Sequence, residues 1–206
     1  ILTILLIFAA VFAYRTTSPA PREYSAICSA LNLPQNCLDD VNIVIVDNSH
    51  ELHSLSGSAI PEWGVGVAFP DVKTVVILNR GDLSDVRGVL IHELAHIALH
   101  KKLTGTTTNG EQSAIEIPRW FDEGVAQMLS GGLEVHRQAH LAWAVLWRNV
   151  IPLEALEYVN RFNSPKAQIA YAEAHDAVLF LSEFCELGAL CDSIIEADDF
   201  TTGFAD

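Results

Sequence analysis

The sequence predicts an α+β fold in which a small antiparallel or mixed sheet is followed by a helical subdomain. Three observations carry this expectation. β-branched runs are confined to the stretch before Asn79, apolar residues recur with helical spacing from Val86 onward, and Gly, Pro and Asn clusters punctuate the segments between. The 206 residues, 50% of them hydrophobic, can build one domain with a substantial core.

Residues 1–23 stand apart from the rest. Ile1 to Ala13 is apolar except for Thr3, then come Arg15 and the linker-like Thr16-Thr17-Ser18-Pro19-Ala20-Pro21. A run of this length suits the core of a signal peptide, with Val11-Phe12-Ala13 as a cleavage site, whereas a membrane anchor needs about 20 apolar residues. Because the chain opens on Ile1, the run reads as the remainder of a longer targeting segment, either a signal peptide or an anchor tethering the protein through residues 1–14. Both imply an exported protein that is periplasmic, extracellular or anchored to the membrane by its N-terminus. A buried core helix is the alternative. Residues 24–206 are expected to form the folded domain.

Within that domain, Tyr24 to Leu33 reads as a short helix and Val41 to Val46 as a strand closed by the turn cluster Asp47-Asn48-Ser49. Gly64 to Ala68 and Thr74 to Leu78, separated by Pro70-Asp71, read as neighbouring antiparallel strands. A long helix follows, with Ser84 as its cap, Asp85 in its first turn and Lys101-Lys102 at its end. Pro118 starts another helix that stops at Gly131-Gly132, and helices are then expected over Leu133 to Val150, Leu153 to Phe162 and Ala167 to Leu187.

Cys28 and Cys37 bracket a short loop, and Cys185 and Cys191 flank Gly188. Two local disulfides fit an exported protein, with buried free thiols as the alternative; the spacing is not that of a zinc ribbon. A net charge of −14 repels phosphate backbones, so no nucleic-acid partner is expected.

The chemistry concentrates in His92-Glu93-Leu94-Ala95-His96, an H-E-x-x-H motif inside an expected helix. Side chains four apart share a helical face, so both imidazoles can reach one Zn²⁺ while the glutamate between them projects beside an open coordination place. Glu93 is then positioned as general base toward an attacking water. A third ligand is needed, and Pro118-Arg119-Trp120-Phe121-Asp122-Glu123-Gly124 offers carboxylates at the start of the next helix. Neighbouring helical positions point about 100° apart, so only one of Asp122 and Glu123 can face the metal.

Here the chain resembles the gluzincin metallopeptidases, particularly peptidase MA-like domains and the aminopeptidase-N-like enzymes. The resemblance rests on H-E-x-x-H followed by Trp120-x-x-Glu123-Gly124 and covers about Val41 to Leu187. It implies a zincin-like fold, Zn²⁺ as cofactor, and His92, His96 and Glu123 as its ligands. It also implies hydrolysis of a peptide or protein substrate. The Asp that some gluzincins carry four residues after the third ligand, to orient a histidine, is replaced here by Gln127. In the aminopeptidase-N-like enzymes a tyrosine opening a later helix donates to the oxyanion, and Tyr171 matches it by pattern. His175, one turn on, could do the same work.

Thr74 to Leu78 precedes the motif helix as the substrate-binding edge strand does in zincins, so the resemblance offers it as an edge along which substrate backbone adds, with a purely structural strand as the alternative. No G-x-M-E-N segment for holding a free amino terminus is present, which favours endopeptidase cleavage. A catalytically idle zincin-like module that binds a peptide or partner in the cell envelope is the alternative. His136 and His140 lack an intervening carboxylate in the motif arrangement and read as a surface helix, while Trp143 and Trp147 read as core. His50 and His53 read as loop residues, and His100 is left without a role.

Overall fold

The structure, a computed structural model, describes residues 21–57, 60–61, 64–81, 83–104, 115–131 and 151–205. The apolar run before residue 21 and the helix expected over Leu133 to Val150, with His136, His140, Trp143 and Trp147, lie outside these residues. Among the described residues no helix is long and apolar enough to cross a membrane.

The architecture is α+β, as expected. Helix α1 (Pro21–Ala30) begins three residues before the expected Tyr24 start and leads to a sheet of strands β1 (Asn42–Val46), β2 (Gly66–Phe69) and β3 (Thr74–Leu78). Their order is β1-β3-β2. β2 runs antiparallel to β3 with Gly66 opposite Ile77, and β1 runs parallel to it with Asn42 opposite Thr74, so the sheet is mixed.

This order decides between the two readings of Thr74 to Leu78 in favour of a structural strand. β3 is the central strand, paired on both sides and buried at all five positions, and so cannot be the edge that receives a peptide; β2 is an outer strand. Strand order depends on long-range pairing, which periodicity along the chain does not encode.

Side chains alternate across the sheet. Ile43, Val75 and Ile77 face the main core, and Val44, Val46, Val67, Val76 and Leu78 face a smaller one. The smaller core is closed by Leu52 of helix α2 (Ser49–Ser56). A turn at Asp47-Asn48-Ser49 running into a loop with His50 and His53 was expected here. Asn48 caps the helix, its side chain accepting from the Glu51 backbone N–H at 2.9 Å. His50 and His53 therefore lie on a helix.

The other face of the sheet packs on α3 (Leu83–Leu103), whose Leu90, Leu94, Ile97, Ala98 and Leu103 sit in the main core. Ser84 falls inside its first turn rather than at its cap. Helix α4 (Arg119–Leu129) follows Pro118, whose carbonyl accepts from the N–H groups of Phe121 and Asp122, and buries Phe121 and Val125 fully.

Beyond it lie a 3₁₀ stretch (Leu153–Arg161) where an α-helix was expected, and helices α5 (Ser164–Ser182), α6 (Leu187–Ala197) and α7 (Phe200–Ala205). The single helix expected over Ala167 to Leu187 starts earlier, because Asn163 caps it by accepting from the Lys166 N–H at 3.1 Å. It also ends earlier, at Ser182. α4 and α5 meet at Gly124, where a Cβ would stand 2.4 Å from the Ala174 carbonyl oxygen. Only a residue without a side chain permits that approach.

Cys28 and Cys37 form a disulfide. Lys101, at the end of α3, donates to the Cys37 carbonyl at 2.8 Å, tying that loop to the helix that carries the motif. The second expected disulfide is absent: Cys185 and Cys191 are free. Cys185 lies in the half-buried turn after α5 with its thiol toward the Leu181 carbonyl, while Cys191 is sealed inside α6, and burial pushes its thiol up to about 12.

Candidate metal centre

Two helices supply the site. α3 is anchored by its core-facing residues, with Leu94, Ala95 and Ala98 wholly buried. This fixes the rotation of the helix and turns His92 and His96 toward α4. Phe121 and Val125 do the same for α4, and Glu123 meets the imidazole pair.

Nε2 of His92 and Nε2 of His96 are 3.2 Å apart, and Glu123 Oε2 lies 3.5 Å from the first and 3.6 Å from the second. Tetrahedral bonds of about 2.0–2.1 Å to zinc would hold donor atoms about 3.3 Å apart. The three measured edges match that figure. Two imidazoles and a carboxylate are also a zinc donor set, so the residues fit the ion by spacing and by chemistry. Among the described residues this is the one such group.

Around the triangle stands a second layer whose identity the sequence did not disclose. Asp122 accepts from His96 Nδ1–H at 2.6 Å, and its other oxygen lies 3.4 Å from His100 Nε2. With Nδ1 carrying the proton, the Nε2 lone pair of His96 is turned into the triangle. Asp122 is thus placed to orient the ring of His96. Its adjacency to Glu123 places it about 100° around the helix, where it points past the ligand triangle to the back of the ring. Replacing it, as Asp122→Asn, is expected to weaken zinc binding about 10- to 100-fold without unfolding the protein. Chelator competition on the purified variant measures this.

The electrostatics follow from burial and charge. Burial alone would raise both Glu123 and Asp122, but the contacts from His92, His96 and His100 outweigh it and hold both carboxyls far below their ordinary range. Burial also works against a charged His96, yet Asp122 and Glu123 raise it well above a usual histidine. The cleft is therefore built to keep positive charge, and a divalent ion at its centre would replace the proton. Glu93 is different. Burial raises its pKa, Glu123 and Asp122 add to the rise, and the two histidines oppose it.

Glu93 lies under strand β2. A Cβ on Gly66 would meet Glu93 Oε1 at 2.8 Å and Val89 Cγ1 at 2.5 Å, so the glycine lets the strand pass directly over the glutamate. Tyr171, from α5, is brought to the same place. Burial raises its hydroxyl pKa, with the Glu123 charge next, and the nearby Arg119 guanidinium opposes the rise. Arg119 was given no role from the sequence, although its Nη2 donates to Glu123 Oε1 at 3.1 Å. The i, i+4 spacing of Arg119 and Glu123 was the available signal.

The structure does not bring His175 to this group. It is buried on α5, with Asp176 as the charged neighbour at 3.8 Å from its Nδ1, and burial lowers its pKa.

Comparison with known proteins agrees with this geometry. A family model described as the peptidase MA superfamily matches residues 33–194, a span that contains the sheet, both ligand-bearing helices and α5. No curated protein and no solved structure matches the chain. The family match covers most of the sequence and encloses all three candidate ligands, and on that ground the chain belongs to the peptidase MA superfamily.

Proposed function

We propose that this protein is a zinc-dependent peptidase, with endopeptidase cleavage favoured, in which His92, His96 and Glu123 hold the metal and Glu93 is the general base. The observation that carries the reading is the triangle of donor atoms at 3.2, 3.5 and 3.6 Å, sized for one tetrahedral ion and contributed, among the described residues, by three side chains. A site closed for structural purposes would use a fourth protein ligand.

Zinc bound there would polarise a scissile carbonyl and lower the pKa of water. The chain's own residues do the rest. Glu93, buried beside the histidines, accepts the proton of the attacking water and can return it to the leaving amine. Burial raises its pKa, which makes it a stronger proton acceptor than an exposed carboxylate. The Tyr171 hydroxyl, kept protonated by burial, is available to donate to charge developing on the carbonyl oxygen.

An extended peptide can add its backbone along the outer side of β2, which runs over Glu93. The Cys28–Cys37 disulfide supports export, in keeping with the apolar run before Arg15.

Incubating the purified protein with a mixed peptide library, with cleavage followed by mass spectrometry, tests the reading. Internal cuts are expected that vanish when a chelator strips the metal and return when zinc is restored. A protein that holds zinc and cuts nothing would instead be an idle binding module of the cell envelope.

A further inference from the structure

The two oxygens of Glu123 are put to different uses. Oε2 lies 3.5 and 3.6 Å from the two imidazole nitrogens, while Oε1 accepts from Arg119 Nη2 at 3.1 Å. Arg119 stands one turn before Glu123 on α4. Its backbone N–H donates to Glu157 Oε1 at 2.7 Å, which pins the start of the helix to the 3₁₀ stretch. The same guanidinium lies close enough to Tyr171, a residue of the neighbouring helix α5, for each to shift the other's pKa. One planar cation therefore bonds a candidate metal ligand and stands beside the candidate oxyanion donor.

A carboxylate left to itself beside a divalent cation can turn and present both oxygens, filling a place that a substrate or water needs. A guanidinium already bonded to one oxygen removes that freedom, because its donors lie in a fixed plane. We propose that Arg119 is a positioning residue of the metal centre: it holds Glu123 Oε1 and the Tyr171 hydroxyl together, leaving Oε2 alone to face the metal and keeping Tyr171 on the reacting side. Lysine cannot replace it fully. An ammonium supplies the charge beside Glu123 but not the flat fork that spans two partners. The inference rests on the metallopeptidase reading above and adds to it the mode of coordination.

The cobalt-substituted protein tests it, since the visible absorption of Co²⁺ falls in intensity as coordination rises from four to five. Wild type is measured first: failure to take up cobalt, or to cleave peptides with zinc, would remove the metallopeptidase reading itself. Given an active wild type, Arg119→Met is expected to lower the cobalt absorption and to reduce kcat about 10- to 100-fold, the range for lost support of a metal ligand, with a smaller change in KM. Arg119→Lys is expected to keep the wild-type cobalt spectrum and still lose kcat. It also serves as the reporter if the methionine variant fails to fold, as judged by circular dichroism. Adding Tyr171→Phe to either variant is expected to cost little more, because Tyr171 is already misplaced. A wild-type spectrum and wild-type kcat in the folded Arg119→Met protein, or in the lysine variant if only that folds, would overturn the proposal. A full independent loss on adding Tyr171→Phe would overturn the link to Tyr171.

Discussion

Glu93→Gln is expected to keep one zinc per chain and to lower kcat by about 10²- to 10⁴-fold, the range for removal of a general base. The amide matches the carboxylate in size, so it fits the same space under Gly66, where a Cβ would already stand 2.8 Å from Glu93 Oε1. None of the three candidate ligands is changed, so metal content is preserved. Only the ability to accept a proton is removed. Zinc analysis and steady-state kinetics on one preparation separate the two effects, and a loss of zinc alongside activity would move Glu93 from base to structural support.

Glu123→Ala is expected to act on the metal first. It takes away the oxygen that faces both imidazoles at 3.5 and 3.6 Å and leaves the Arg119 guanidinium, formerly 3.1 Å from the carboxylate, beside the remaining pair. Two histidines with an uncompensated cation close by are a poor site for Zn²⁺. Loss of a direct ligand should exceed the roughly 10- to 100-fold effect of removing a supporting residue, so a drop in zinc affinity of more than about 100-fold is expected. Activity should fall with it and recover only partly at high zinc. Isothermal titration of the metal-free variant is the direct check, and affinity equal to wild type would exclude Glu123 from the site.

What could be read from the chain was whatever local pattern dictates. β1 and β3 show as β-branched runs, α3 shows as apolar periodicity, and the metal motif rests on i, i+4 spacing within that helix. The features that escaped depend on contacts distant in sequence. The central place of β3 follows from pairing with strands on both sides, and the role of Asp122 follows from how α4 is rotated against α3.

Two misses had local signals. Asn48 followed three residues later by Glu51 is a helix-start pattern, and it announced α2. Asn163 before Ser164-Pro165 marked the true start of α5. The absent second disulfide had none: Cys185 and Cys191 have plausible spacing, and only the break between α5 and α6 puts one in a turn and the other inside a helix.

The central claim concerns three side chains meeting at one ion with one place left over. X-ray absorption at the zinc edge of the zinc-loaded protein tests it most directly. Two imidazole nitrogens at about 2.0–2.1 Å, one carboxylate oxygen and one further light atom from solvent are the expected shell. A shell containing sulfur, a third imidazole in place of the carboxylate, or a folded protein that retains no zinc would contradict the account.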